Sequence, residues 1–141
     1  MTAQAETTVI IPVYNRTDLL NDCLLSLAKQ AYQSFSVVVI DDASEEDVQA
    51  CVRHAMPEAT YVRRESNGGF ARAVNDGLRR VDSPLVFLLN SDMTLEPECL
   101  ERMVEEMKRT GAAMVCPLVL FRDEPDVIYS AGDTVRRGGR P

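Results

Sequence analysis

Val37-Val38-Val39-Ile40-Asp41-Asp42-Ala43-Ser44 decides the fold. A block of β-branched apolar residues runs straight into two carboxylates. Buried strands of a parallel sheet read as such unbroken apolar runs, because helices cover both faces. The pattern recurs on either side. Val9-Ile10-Ile11 runs into Pro12-Val13-Tyr14-Asn15-Arg16, and Leu85-Val86-Phe87-Leu88-Leu89 runs into Asn90-Ser91-Asp92. Open α/β sheets bind ligands beyond the carboxyl ends of their strands. These strand ends deliver polar groups to one edge, and two of them deliver carboxylates. That layout predicts a site for a polar, metal-bound and phosphate-bearing ligand.

Working outward, the first strand is expected over 8–12, and a helix over 18–30 with Leu19, Leu20, Cys23, Leu24 and Leu27 at helical spacing. Thr17 or Asp18 is its expected cap. The second strand is read at 35–40. Ser44 and the acids after it open a second helix, 45–54. A short strand follows at 60–63, then the Asn67-Gly68-Gly69 loop, a helix over 70–81, and the fourth strand at 85–89. A helix over 98–110 ends at Gly111, and a fifth strand is read at 114–120. Strands alternating with helices predict a doubly wound parallel sheet. After Phe121 the pattern fades into the turn Asp123-Glu124-Pro125-Asp126, a short strand over 127–129, and a basic, glycine-rich tail from Arg136 to Pro141.

The chain has 141 residues, enough for one domain with a core; domains near that size bury roughly 70% of their unfolded surface. A net charge of −7 excludes a general nucleic-acid binder, which needs a basic face. It leaves room for one anionic ligand whose charge a divalent cation balances. Cys23, Cys51, Cys99 and Cys116 form no CxxC pair and read as reduced core thiols of a cytosolic protein. No signal peptide is expected at Met1–Glu6, and no apolar run reaches membrane-spanning length.

Each candidate group carries two readings. Asp92 is a ligand for Mg²⁺ or Mn²⁺, or a turn aspartate. Asp41 and Asp42 cap the strand exit, or one of them accepts the N–H of a nucleobase. Two carboxylates side by side repel each other in a partly desolvated site, which points toward a ligand. Asn67-Gly68-Gly69 offers amides to an anion, or is a plain strand-to-helix turn; it matches neither the Walker nor the dinucleotide glycine pattern. His54, the sole histidine, reads as a surface residue. Arg63-Arg64 and Arg136-Arg137 read as solvated pairs that could meet phosphate, and the methionines as mostly core filler.

Taken together, four stretches resemble the nucleotide-sugar-binding half of family 2 glycosyltransferases, which have the GT-A fold. They are Val9–Arg16, Val39–Ser44, Asn67-Gly68-Gly69-Phe70-Ala71-Arg72-Ala73-Val74-Asn75-Asp76-Gly77, and Leu88–Asp92, in family order. The Gly-Phe-Ala and Leu-Asn-Ser-Asp forms are most similar to the rhamnosyltransferase-like branch. The resemblance implies a Rossmann-like, doubly wound, mostly parallel sheet flanked by helices, truncated after the donor-binding half. It implies a disordered 1–7, a nucleotide-sugar-binding domain over 8–121, and the start of an acceptor-side region over 122–141.

The resemblance also implies roles. Pro12, Tyr14 and Asn15 would line the base and ribose pocket, and Asp42 would bind the base. Asn67, Gly68, Gly69 and the helix after them would shape the wall near the ribose and diphosphate. Asn90-Ser91-Asp92 stands where the family has Asp-X-Asp, and Asp92 would hold Mg²⁺ or Mn²⁺. Asn90 in place of the first acid implies modest metal affinity without the donor. The donor would be a UDP- or dTDP-linked sugar and the acceptor a glycan or lipid-linked hydroxyl, in a cytoplasmic protein or one peripheral to the inner membrane. No catalytic base is assigned: it is expected beyond Pro141, and Glu124 and Asp126 fall too early. The missing half, or a second copy of the chain, would cover the sheet edge. Two other readings stand beside this one. One is a non-catalytic nucleotide-binding module. The other is a phospho-receiver, which would want its acid pair after the first strand and a later lysine that the exit Phe121-Arg122-Asp123 lacks.

Overall fold

The computed structural model describes residues 5–132. The structure is α/β and falls into two compact units, Met1–Glu98 and Cys99–Pro141. Of the segment expected to be disordered, 1–7, residues 1–4 lie outside the described residues, as does the basic tail with Arg136-Arg137. Thr7 is buried in the first strand and the Glu6 amide bonds Ser34 O at 2.9 Å, so order begins earlier than expected.

The first unit is built on a parallel sheet of order β3-β2-β1-β4. Its elements are β1 (Thr7–Val13), α1 (Thr17–Ala28), β2 (Phe35–Asp41), α2 (Val48–Ala55), β3 (Thr60–Arg63), α3 (Phe70–Leu78) and β4 (Leu85–Leu88). Val9 of β1 sits opposite Val37 of β2 on one side and Phe87 of β4 on the other. β1 is buried along its whole length, and β2 from Val37 to Asp41. That is why their sequences show no polar alternation. β4 lies at the end of the sheet, and Val86 and Leu88 there are each 44% exposed.

The chain moves from β1 to β2 to β3, then reverses to place β4 on the far side of β1. Crossovers between parallel strands are right-handed, so α1 and α2 belong to one face and α3 to the other. On the α3 face, Ile10, Val38, Ile40 and Ala73 form one buried cluster with Val62 and Val81 against it. Gly77 permits this close approach: a Cβ there would lie 2.5 Å from Ile10 Cγ2. The reversal makes the gap between the ends of β1 and β4 the switch point, where such sheets bind ligands.

The second unit has α4 (Cys99–Thr110) and an antiparallel pair, β5 (Val119–Leu120) with β6 (Ile128–Ser130). Gly111, at φ +66°, ends α4, and its amide reaches Met107 O at 2.9 Å. The Phe121 and Tyr129 rings meet edge-to-face at 5.3 Å.

Several expectations need correction. The parallel fifth strand over 114–120 shrinks to Val119–Leu120 in its own antiparallel pair. Pro117 cannot donate to a ladder, and Met114 is 81% exposed. α2 begins at Val48, because Asp47 caps it through the Ala50 amide at 3.0 Å while Ser44 is used elsewhere. α1 has no side-chain cap of its own; Glu46 supplies one from the next loop. α3 ends at Leu78, short of Val81. Of the cysteines only Cys23 is buried, and Cys116 is exposed outside any strand. Met56 is buried, and His54 lies on the surface. Among the described residues no helix is long and apolar enough to cross a membrane.

Candidate active site

Three strand exits build the site. At the end of β1 the backbone turns through Asn15 and Arg16, at φ +56° and +58°. Two successive left-handed residues are costly outside glycine, and the neighbouring loop holds them in place. Asn15 Oδ1 accepts the Glu45 amide at 2.8 Å and the Glu46 amide at 3.3 Å, and the Asn15 amide donates to Ser44 Oγ at 2.7 Å. Glu46 in return accepts the Arg16 amide at 3.0 Å, and the Thr17 amide and hydroxyl at 2.8 and 2.5 Å. The loops after β1 and β2 are thereby stitched to each other.

The two aspartates after β2 part ways. Asp41 is fully buried. It accepts the Ser44 amide at 2.8 Å, and the Tyr61 hydroxyl and Arg63 guanidinium at 2.6 Å each. Burial opposes its ionisation, but these donors prevail and its pKa lies below the ordinary value. It is a structural latch. Asp42 turns toward the other loop. Its carboxylate accepts the Gly68 amide at 3.0 Å, the Gly69 amide at 2.7 Å, and the Arg64 guanidinium. Burial again opposes ionisation; the Gly68 amide, Arg64 and the Gly69 amide outweigh it and hold the pKa low. Arg64 also reaches Asp76 of α3 at 2.7 Å and lies directly beneath Gly68, whose missing side chain leaves it room.

β4 delivers Asn90, Ser91 and Asp92. The Leu89 amide bonds Ile10 O at 3.0 Å, and the Met93 amide bonds Asn90 O at 3.2 Å. One face of α1, with Gln30 just past its end, holds the segment that follows. Cys23 Sγ donates to Asn90 O at 3.7 Å, Ser26 Oγ accepts the Leu95 amide at 3.0 Å, and Gln30 Nε2 donates to Glu96 O at 2.8 Å. Burial, with Asp92 adding to it, pushes the Cys23 thiol up to about 12, so it stays a protonated donor.

Two clefts open over this framework. The first, about 270 Å³, is lined by Pro12, Val13, Tyr14, Asp42, Asn67, Gly69, Phe70 and Ala73. The second, about 280 Å³, shares Pro12, Tyr14 and Phe70 and continues past Arg16 and Leu19 to Asn90, Ser91 and Asp92. Tyr14 and Phe70 are about half exposed, at 49% and 55%, and stand where the clefts meet. Of the residues expected to form the site, Pro12, Tyr14, Asp42, Asn67 and Gly69 come together in one cleft and Asn90, Ser91 and Asp92 in the other. Asn15 and Gly68 line neither: both serve the loops behind.

The sequence alone gives Arg16 no role, Phe70 one only as part of the helix expected to wall the site, and Arg64 one only in a pair that could meet phosphate. Phe70 passes for an ordinary apolar helix start. The sequence signal was Gly69, a cap at φ +84° with no side-chain bond, which leaves the first ring of α3 outside the core. The donor set at the β4 exit is all oxygen, from one exposed carboxylate, an amide and a hydroxyl. Among the described residues no group of three or more His, Cys, Asp or Glu gathers to hold a metal. A single carboxylate fits Mg²⁺ or Mn²⁺ that takes its remaining ligands from phosphate oxygens and water.

The family description "Glycosyl transferase family 2" fits residues 8–139. This chain belongs to that family. It is 26% identical over 121 residues to the glycosyltransferase GlyG of Streptococcus pneumoniae serotype 4, covering 84% of this chain and 40% of GlyG. It is 31% identical over 101 residues to an uncharacterized glycosyltransferase of Haemophilus influenzae, covering 72% of this chain and 34% of that one. Among solved structures, the mannosyltransferase PcManGT of Pyrobaculum calidifontis, in complex with GDP-Man and Mn²⁺, superposes with a TM-score of 0.69 at 28% identity, over 75% of this chain and 33% of its own. S. aureus TarS 1–349 with UDP superposes at 0.70 and 23% identity, over 83% and 39%, a likeness of fold. The chain thus spans less than half the length of these relatives, and its fold is the α/β arrangement of GT-A glycosyltransferases.

Proposed function

We propose that this chain is the donor-binding part of a family 2 glycosyltransferase, of hexosyltransferase type, acting in polysaccharide or cell-surface glycan synthesis. The observation that carries the reading is the pair of clefts meeting at Tyr14 and Phe70, with the Asp42 carboxylate in one and Asp92 in the other. A base in the first cleft lies between aromatic walls and meets an ionised carboxylate. Such a group only accepts hydrogen bonds. It therefore favours bases with a ring N–H, as in uracil, thymine and guanine, over cytosine and adenine. The diphosphate then extends into the second cleft toward Asp92. Mg²⁺ or Mn²⁺ held there would neutralise charge on the departing diphosphate. The UDP- or dTDP-linked donor rests on the same reasoning; GDP joins them because PcManGT binds GDP-Man. A rhamnosyl-type donor rests on the Gly69-Phe70-Ala71 and Leu89-Asn90-Ser91-Asp92 stretches. The acceptor, a glycan or lipid-linked hydroxyl, and a cytoplasmic or membrane-peripheral setting follow from the same reading.

The test is a titration with UDP, dTDP, GDP, CDP and ADP, each with and without Mn²⁺. Binding stabilises the folded state by about 2.7 kcal/mol at a hundredfold excess over Kd. The expected result is a thermal shift for the first three that grows with metal. Equal shifts for all five, or none, would refute the reading.

A further inference from the structure

We propose that Arg16 binds the diphosphate: its guanidinium exchanges Asp18 for the phosphates of a nucleotide held against Asp92. This rests on the donor-binding reading above. Among the described residues that line either cleft, Arg16 is the only cation. Arg64, nearest to rivalling it, is tied between Asp42 and Asp76. Arg16 lines the second cleft together with Asn90, Ser91 and Asp92. Its left-handed backbone departs from the helix that begins one residue later.

The guanidinium is available. It meets Asp18 at 3.1 and 3.2 Å, in a pair whose side chains are 62% and 65% exposed. Exposed pairs of this kind contribute little and exchange readily. A planar fork of donors suits phosphate oxygens better than any other side chain. Glu46, another carboxylate near Arg16, is bound by the Arg16 and Thr17 amides rather than by the guanidinium. Charge balance asks for such a cation. A nucleotide sugar brings two negative charges on its diphosphate and Asp92 a third, against two positive charges on a divalent ion. Arg16 completes neutrality, and after the sugar departs it meets the additional charge on the leaving group.

The experiment uses the full chain as wild type, R16Q, R16K and R53Q. Each is titrated calorimetrically, in Mn²⁺, with UDP, uridine and inorganic pyrophosphate. Both replacements at position 16 keep a non-glycine residue, so the backbone there is not relaxed. R16Q is expected to weaken UDP and pyrophosphate about tenfold or more and to leave uridine within about twofold. R16K should recover part of the loss, and R53Q, an exposed cation on α2 away from both clefts, should bind as wild type. The assignment is overturned if R16Q binds both phosphates like wild type, if it loses uridine equally, or if wild type binds neither phosphate. If wild type binds pyrophosphate as tightly as UDP and R16Q loses both, Arg16 stands and the nucleotide reading falls.

Discussion

The Asp42 carboxylate accepts the Gly69 amide at 2.7 Å across 27 residues of sequence. One side chain thus fastens the exit of β2 to the first turn of α3, and the same side chain lines the cleft assigned to the base. Its bonds to Gly68, Gly69 and Arg64 occupy part of its acceptor capacity and keep it ionised. A carboxylate has about four lone-pair directions, so acceptance from a ring N–H remains open.

Asp42→Asn should therefore weaken both stability and binding. The amide keeps one acceptor but loses the charge opposite Arg64. Hydrogen bonds to charged groups are worth about 1.5–3 kcal/mol, and an unfolding free energy lower by about 2 kcal/mol in urea melts is expected. Acid should act in the same direction. Asp41 and Asp42 both have folded pKa values below their unfolded ones. Their contribution is fully present above the unfolded value, about 3.9, and is lost as pH falls through the folded values. The wild-type stability curve should drop below about pH 4, and Asp42→Asn should flatten that drop. An equal drop in both proteins would place the acid sensitivity elsewhere.

Gly77→Ala tests the seat of α3 on the sheet. The added Cβ would sit 2.5 Å from Ile10 Cγ2, with Ile40 Cγ1 at 3.4 Å. Ile10 is fully buried and cannot swing away. Overpacking of this kind costs about 1–3 kcal/mol. Chemical denaturation should show a loss in that range with an unchanged slope. A neutral effect would mean that α3 slides on the sheet, and nucleotide binding would then report whether Phe70 moved with it.

The parts of the molecule that were legible are those where burial dictates sequence. β1 and β2 lie inside the sheet, so Val9–Ile11 and Val37–Ile40 could hardly be anything but apolar, and the aspartates that end β2 stand out against them. The exits of β1, β2 and β4 share one end of a parallel sheet, which is why Tyr14, Asp42 and Asp92 could be gathered without coordinates. Apolar composition misled where it was not matched by burial, as at Met114–Leu120. Asn15 could not have been placed from sequence. Whether its amide faces a ligand or the Glu45 and Glu46 backbone depends on the left-handed turn at Asn15 and Arg16, which no residue type there announces. Arg63 and Arg64 look alike in the sequence, yet one latches Asp41 and the other Asp42.

Asp92→Ala separates the metal from the fold. Asp92 is exposed, and among the described residues no hydrogen bond of its side chain holds the loop; Cys23, Ser26 and Gln30 do that through the backbone around it. Surface changes away from such features usually stay within about 0.5 kcal/mol, so the melting temperature should barely move. The gain in nucleotide affinity on adding Mn²⁺ should vanish, while metal-free binding stays or improves as repulsion of the phosphates falls. Retention of the full metal response would move the ion away from Asp92.

Turnover is the last expectation. Transfer to an acceptor hydroxyl calls for a base to take the acceptor proton, a step worth about 10²–10⁴-fold. Among the described residues, the carboxylates lining the clefts are Asp42 and Asp92. Asp42 is engaged by two amides and a guanidinium, and its pKa is held below the ordinary value, which makes it a poor proton acceptor. Asp92 lines the cleft proposed for the diphosphate, where a bound cation would draw off its charge. Residues 1–141 alone should therefore bind donor without consuming it above background. The measurement is release of nucleoside diphosphate by the chain, with and without acceptor glycan, at saturating donor and Mn²⁺. Sustained release would mean that a base has been overlooked. Glu124 and Asp126, in the turn before β6, would then be the first pair to replace, and loss of release in either variant would identify it.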